Sequence, residues 1–358
     1  MIYYVIGIEI FLFYIINNYT KTRILSEKVL AVIAILEMIV LAGLRSYEVG
    51  NDTLAYVQSF QSYAQYGNYG IGERFEPGYQ ALTRIVTVIN KDPRVFILIT
   101  SIIIYMGFYI FIKWNSNSVL LSVLIFYLIF FCNSLNVSRQ YLAAVIAVNC
   151  IDFIKDKKYI KALIIIFVAG MFHVTALIYL SVVFAGITRK NNKWILAFLG
   201  VSAVFLVFSN QVISVLLKLF PSYGFYFRMQ IYQNSGEIGK LTLLMLGFTI
   251  TAVFMIFNKK SNRAYDITTF SLDDGLIIET KIMIMACAVG ILASRYLMIN
   301  RVAEMLNIFI ILLIPNILGR LNAKVRFISE IVIVFILGIY MYTVINYGNI
   351  GVYPYKFM

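Results

Sequence analysis

IKALIIIFVAGMFHVTALIYLSVVFAGI, residues 160–187, is a 28-residue run whose one charged residue, Lys161, lies at its start and whose interior carries the chain's single histidine, His173. A helix needs about 20 apolar residues to cross the roughly 30 Å hydrocarbon core of a bilayer, so the run is too long for one crossing and short for two. Basic clusters flank it on both sides, KDKKYIK (155–161) and TRKNNK (188–193). Lys and Arg concentrate in cytoplasmic connections, so both ends are expected on the same side. That requires two short arms meeting near Gly170-Met171-Phe172-His173, each rising only about 20 Å. The apex with His173 would then lie in a depression of the outer leaflet. A single long tilted helix is the alternative, and it would invert everything downstream.

Outward from this run the same pattern repeats. Apolar segments at 2–17, 28–45, 95–112, 118–135, 138–154, 160–172, 174–187, 194–208, 241–257, 280–298, 305–319 and 328–346 read as spans, with basic connections alternating between them. The expectation is an all-α polytopic integral membrane protein of about twelve crossings, with both termini outside. It would form a single transmembrane domain over 1–358 with two longer outer loops, about 46–94 and 209–240. Composition agrees: 61% of the 358 residues are hydrophobic and 13% charged, too little polar surface for a soluble domain of this size. A net charge of +13 would suggest nucleic acid in a soluble protein, but here the basic residues lie between apolar segments, which argues against it. Cys132, Cys150 and Cys287 each sit in an apolar run with no CxxC pair, so neither a disulfide framework nor a zinc site is expected. No basic region precedes the apolar Met1–Ile16, so it reads as a first span and not as a cleavable signal.

Under this topology the outer face carries Arg45, Arg74, Arg84, Arg139, Arg228, Arg295 and Arg301, which topology signalling does not explain. A guanidinium offers a planar fork of donors that suits phosphate. The plain alternative is headgroup contact, or pairing with Glu48, Asp52, Glu73, Glu76 or Glu304; it is preferred for Arg74, Arg84 and Arg228. Function is preferred for Arg45, Arg139 and Arg301. Arg139 opens the helix VSRQYLAAVIAV at its outer end, where free N–H groups and a cation converge into an anion site, with Gln140 beside it. Arg45 lies in the polar stretch GLRSYEVGNDTLAY, where Asp52 is placed to cap the helix LAYVQSFQSYAQY. His173 sits at a helix break within the membrane, where polar groups tend to be functional, and an unperturbed imidazole suits a general base. Glu37, two turns before Arg45, is expected to neutralise it. No P-loop, HExxH, GxSxG or DxD motif is usefully placed.

Four segments in order, LAGLRSYEVGNDTLAY (41–56), FEPGYQAL (75–82), NVSRQYLAAVIA (136–147) and VAGMFHVTALIYL (168–180), resemble the EpsG/Wzy-type bacterial polysaccharide polymerases; RYLMINRVAEML (295–306) matches more loosely. The resemblance implies a multi-pass protein of the bacterial cytoplasmic membrane, GT-C-like in architecture, with its active site facing outward. Such proteins join oligosaccharide repeat units carried on undecaprenyl pyrophosphate into O-antigen, capsule or exopolysaccharide. It implies that Arg45, Asp52, Glu76, Arg139 and His173 belong to the active site, with His173 or Glu76 as the catalytic base; Tyr56, Gln140, Arg295 and Arg301 are expected to bind substrate alongside Arg45, Asp52 and Arg139. Its expected partners are the lipid-linked glycan, membrane lipid and a chain-length regulator, with no nucleic acid. The donor is activated by its lipid, so neither metal nor other cofactor is expected. An O-antigen ligase would share this chemistry, and a lipid-linked oligosaccharide flippase is the rival of another class.

Overall fold

The computed structural model of the chain describes residues 1–20, 25–67, 75–188, 193–208, 239–257, 274–294 and 297–358, with 211, 214, 215 and 218. The regular elements among them are helical, and one isolated antiparallel bridge joins Arg45 to Phe357. In chain order they are α1 (Ile2–Tyr19), α2 (Glu27–Gly43), α3 (Thr53–Tyr66), α4 (Pro77–Ile89), α5 (Pro93–Asn115), α6 (Val119–Phe126), α7 (Cys132–Asn136), α8 (Ser138–Val148) and α9 (Cys150–Lys155). There follow α10 (Tyr159–Gly170), α11 (Leu180–Ile187), α12 (Lys193–Val207), α13 (Lys240–Phe257), α14 (Asp274–Leu292), α15 (Leu297–Asn307), α16 (Ile310–Leu318) and α17 (Ala323–Tyr347). Six stretches among the described residues are long and apolar enough to cross a membrane: Ile2–Tyr19, Pro93–Asn115, Val119–Asn136, Gly275–Leu292, Ile299–Leu318 and Ala323–Tyr347. Tyr159–Gly170, Val174–Ile187 and Lys240–Phe254 are apolar but shorter. The chain is a multi-pass membrane protein, and its described residues supply fewer full-length spans than the twelve expected.

The run at 160–187 is not one helix. α10 stops at Gly170, residues 171–173 turn, and a 3-10 segment, Val174–Tyr179, leads into α11. The turn competes with the helix through its own side chain: the Thr175 N–H donates to His173 Nδ1 at 3.3 Å. Leu177 folds back onto Gly170, where a Cβ would come within 2.8 Å of its side chain.

The helices group into two compact units. The first comprises Met1–Cys150, Ile160–Leu177 and Ile314–Met358. At its centre α2 packs on α5 and α6, and α5 on α8. The stretch through α6 and α7 is apolar on all sides, as a helix enclosed by others must be; 89% of its most apolar window is buried, against 22% for α17, which therefore faces outward. A π-helical segment, Tyr127–Phe131, joins α6 to α7 and turns Tyr127 so that its hydroxyl donates to Tyr3 O at 2.8 Å.

The second unit comprises Ile151–Tyr159 and Ile178–Leu313. In it α14 is the common partner of α11, α12, α13 and α15. Its interior charges are tied locally: Glu279 lies 3.8 Å from Lys155, and Lys281 Nζ donates to Thr188 O at 2.7 Å. An apolar cavity of about 340 Å³ lies between α12, α13 and α14, lined by residues such as Ala203, Leu246, Cys287 and Ile291.

Candidate active site

FEPGY (75–79) builds the centre of the site. Pro77 opens α4 at the first turn, where a missing N–H costs nothing. Glu76 occupies the N-cap position in extended backbone, yet its carboxylate does not cap the helix. Instead its Oε2 accepts from Arg139 Nη1 at 3.0 Å and its Oε1 accepts from the Val174 N–H at 3.3 Å. Two residues on, the Gly78 N–H donates to Met171 O at 2.7 Å. A Cβ on Gly78 would stand 2.9 Å from both Met171 O and the Phe172 ring, so the absence of a side chain is what lets α4 begin against the apex. Glu76 is thereby brought onto the break that bears His173, although about a hundred residues separate them in sequence.

Arg139 lies in the first turn of α8, whose cap position is held by Val137 without a side-chain cap. A cation there opposes the positive end of the helix dipole, and Glu76 offsets it. The guanidinium lies over the Phe75 ring at 4.9 Å and the Tyr79 ring at 5.8 Å. Its Nε is buried and has no hydrogen-bond partner among the described residues. The pair is not sealed: the side chains of Arg139 and Glu76 keep 19% and 21% of their exposure, enough for a ligand to reach both.

His173 is buried, one residue before the Val174 amide that donates to Glu76. Its Nδ1 accepts from the Thr175 N–H and lies 2.8 Å from Thr175 Oγ1. A nitrogen that accepts from an amide carries no proton, so the neutral ring holds its proton on Nε2 and presents a donor there.

Arg45 has a different setting. It is 3% exposed, donates through Nη1 to Ala42 O and through Nη2 to Leu135 O at 3.3 Å, and lies among the phenols of Tyr3, Tyr56, Tyr105 and Tyr355. The expected pairing with Glu37 is not found among the described residues: main-chain carbonyls take the guanidinium, and Glu37 Oε2 is buried without a hydrogen-bond partner. Asp52 does stand at the N-cap of α3, but its carboxylate makes no capping bond; its N–H donates to Asn136 Oδ1 at 3.0 Å. Tyr56 is buried and its ring packs 6.1 Å from that of Tyr79. Gln140 is buried on α8, one residue after Arg139. Arg301 lies inside α15 in the second unit, not ahead of a helix. Arg295, with Arg74 and Arg228, falls outside the described residues. The structure thus brings Glu76, Arg139 and the apex of His173 together, ties Arg45 and Asp52 to Leu135 and Asn136, and packs Tyr56 on Tyr79.

Sequence reasoning missed three contributors. Thr175 orients the histidine ring, and its signal was the β-branched hydroxyl two residues beyond it. Phe75 carries the guanidinium of Arg139, one position before the acid that pairs with it. The segment after α17 closes over Arg45, and nothing in NIGVYPYKFM announced that. Among the described residues no group of three His, Cys, Asp or Glu side chains could hold a metal ion.

Long apolar helices, with a partly exposed cation–carboxylate pair set against the break at 171–173, define a multi-pass membrane protein with a polar site. Residues 28–357, nearly the whole chain, match the sequence model of the EpsG family, and the chain belongs to that family, one of Wzy-type polysaccharide polymerases. No curated protein and no solved structure matches it.

Proposed function

We propose that the protein polymerises undecaprenyl-pyrophosphate-linked oligosaccharide repeat units into O-antigen, capsule or exopolysaccharide at the outer face of the bacterial cytoplasmic membrane. The observation that carries the reading is the Arg139–Glu76 pair set on the His173 apex: an anion-binding cation, a carboxylate and an imidazole drawn from three distant segments.

In this reading the pair is the resting state. The donor's diphosphate competes with Glu76 for the Arg139 guanidinium, and the displaced carboxylate becomes available to accept a proton. The acceptor sugar's hydroxyl then attacks the anomeric carbon of the donor, its proton passes to Glu76, and the bond to the diphosphate breaks. Arg139 stabilises the charge that grows on the leaving group, and the Nε2–H of His173 donates to an oxygen of the donor. Gln140, next to Arg139 on α8, serves the same substrate, while Arg45, Asp52 and Tyr56 serve the site from behind. The lipid diphosphate already activates the donor, so the step needs no metal. A chain-length regulator is the protein partner this activity calls for.

A strain lacking the gene tests the class of function. Loss of a polymerase leaves glycan capped by single repeat units, and the wild-type gene restores long chains. Loss of a flippase leaves no exported glycan, and that phenotype would rule the proposal out. His173→Ala in the same strain is expected to shorten the chains at normal protein level; long chains would return the histidine to a packing role.

A further inference from the structure

The segment NIGVYPYKFM (349–358) leaves α17 and runs back across the loop between α2 and α3. Asn51 Nδ2 donates to Asn349 O at 2.6 Å and the Asn51 N–H to Ile350 O at 3.2 Å. The Gly50 N–H donates to Gly351 O at 2.8 Å, and the Ser46 N–H to Lys356 O at 2.8 Å. Met358 N–H closes on Leu44 O at 3.0 Å. Two tyrosines tie the segment to helices: Tyr3 OH donates to Val352 O at 3.0 Å, and Tyr355 OH to Leu41 O at 2.8 Å. Burial pushes the Tyr355 phenol up to about 12, so it remains a neutral donor at physiological pH. Connecting segments are ordinarily mobile and weakly held; this one is hydrogen-bonded at seven of its ten residues.

What it holds down leads to the site. The opposite side of the same loop is fastened to Leu135 and Asn136, by Arg45 Nη2 and Thr53 Oγ1 on Leu135 O, both at 3.3 Å, and by the Asp52 N–H on Asn136 Oδ1. Gly50, at φ +91, lies so close that a Cβ would be 2.6 Å from Leu135 O and 3.0 Å from Asn136 Cα. Arg139 follows Asn136 by three residues, across the turn at Val137 that starts α8.

We propose that residues 349–358 are a positioning strap for the anion site: they press the 44–52 loop onto Leu135 and Asn136, with Arg45 as the internal pin, and so fix where α8 begins and how Arg139 is aimed. The proposal rests on the catalytic reading of Arg139 given above. Neither the strap nor Arg45 touches substrate in it; both act through Arg139.

Gly351→Val is the test, because Gly351 adopts φ +70 and a Cβ there would run into the Asn51 side chain. Two readouts separate the strap from the reaction. Val49→Cys puts a thiol in the strapped loop at a buried position, and it is labelled slowly by an impermeant maleimide in the full chain, against low background because Cys132, Cys150 and Cys287 are buried. Gly351→Val is expected to raise that labelling about tenfold. In elongation of an undecaprenyl-diphosphate-linked repeat unit it is expected to lower kcat/KM about tenfold, and to cause no further loss in an Arg139→Ala background. An equal loss in both backgrounds, or unchanged labelling, overturns the strap. Should Gly351→Val fail to fold, Tyr355→Phe, which removes only the bond to Leu41 O, enters the same cycle with the same outcomes decisive. A wild-type protein that elongates nothing would defeat the proposed function, while the labelling would still report on the strap.

Discussion

Arg139 and Arg45 are both arginines in short polar stretches of the first unit, and the structure treats them oppositely. Arg139 faces a carboxylate and two aromatic rings and keeps a fifth of its exposure; Arg45 faces main-chain carbonyls and is closed over. A cation paired with a movable carboxylate can exchange that partner for an incoming anion. A cation bonded to backbone cannot, because carbonyls left without a donor in a buried place cost free energy. The difference separates a group that works on a ligand from one that holds the ground beneath it.

The largest effects should divide the two. Arg139→Ala should lower elongation by roughly 10²–10³, the usual scale for losing one charge-stabilising donor, with the amount of folded protein unchanged. Arg45→Ala should instead lower stability by about 1.5–3 kcal/mol, the worth of hydrogen bonds to a charged group. A detergent melting curve and a glycan-length assay on both variants read this. Equal melting temperatures with equal losses of activity would erase the distinction.

Gly78→Ala probes the contact that seats Glu76. The added Cβ meets Met171 O at 2.9 Å, so α4 must back away from the apex. Elongation should fall about tenfold, roughly 1.4 kcal/mol in the barrier, with little change in melting. Thr175→Val should have a smaller effect, about threefold. It removes the hydroxyl at 2.8 Å but leaves the amide bond to Nδ1, and nitrogen-15 shifts of the imidazole should still report the Nε2–H tautomer. At the bottom of the scale is Lys356→Ala. Its ion pair with Glu48 is 2.6 Å long but solvent-exposed, and neither melting nor activity should change measurably.

Much of this was legible in the sequence because the bilayer constrains it. Apolar length marked the chain as membrane-spanning, and the basic flanks of the 28-residue run marked the break at 171–173, though six full-length spans stand among the described residues where twelve were expected. The resemblance named Glu76 and His173 together, and the structure sets the Glu76 carboxylate on the amide next to the histidine. What pattern could not give was pairing at a distance. Arg45 and Glu37 are two turns apart, which suggested a pair, but α2 ends at Gly43 and turns Arg45 toward Leu135 instead. Asp52 has the composition of a cap, while its αR backbone aims the carboxylate away and leaves the N–H to Asn136. The strap has no periodicity at all: apart from the Tyr355 hydroxyl and the Lys356 ammonium its bonding atoms are main-chain, which no pattern of residue types marks.

The most direct measurement is elongation and donor binding by purified wild-type and Glu76→Gln protein in lipid nanodiscs. The probe is a chemically defined undecaprenyl-diphosphate-linked repeat unit. The account predicts a ladder of products from the wild type and none beyond the single unit from Glu76→Gln. The variant should bind the donor at least as tightly as wild type, since its amide no longer competes as an anion for Arg139. A normal ladder from Glu76→Gln would contradict the assignment of the base, and weaker donor binding would contradict the exchange of partners at Arg139.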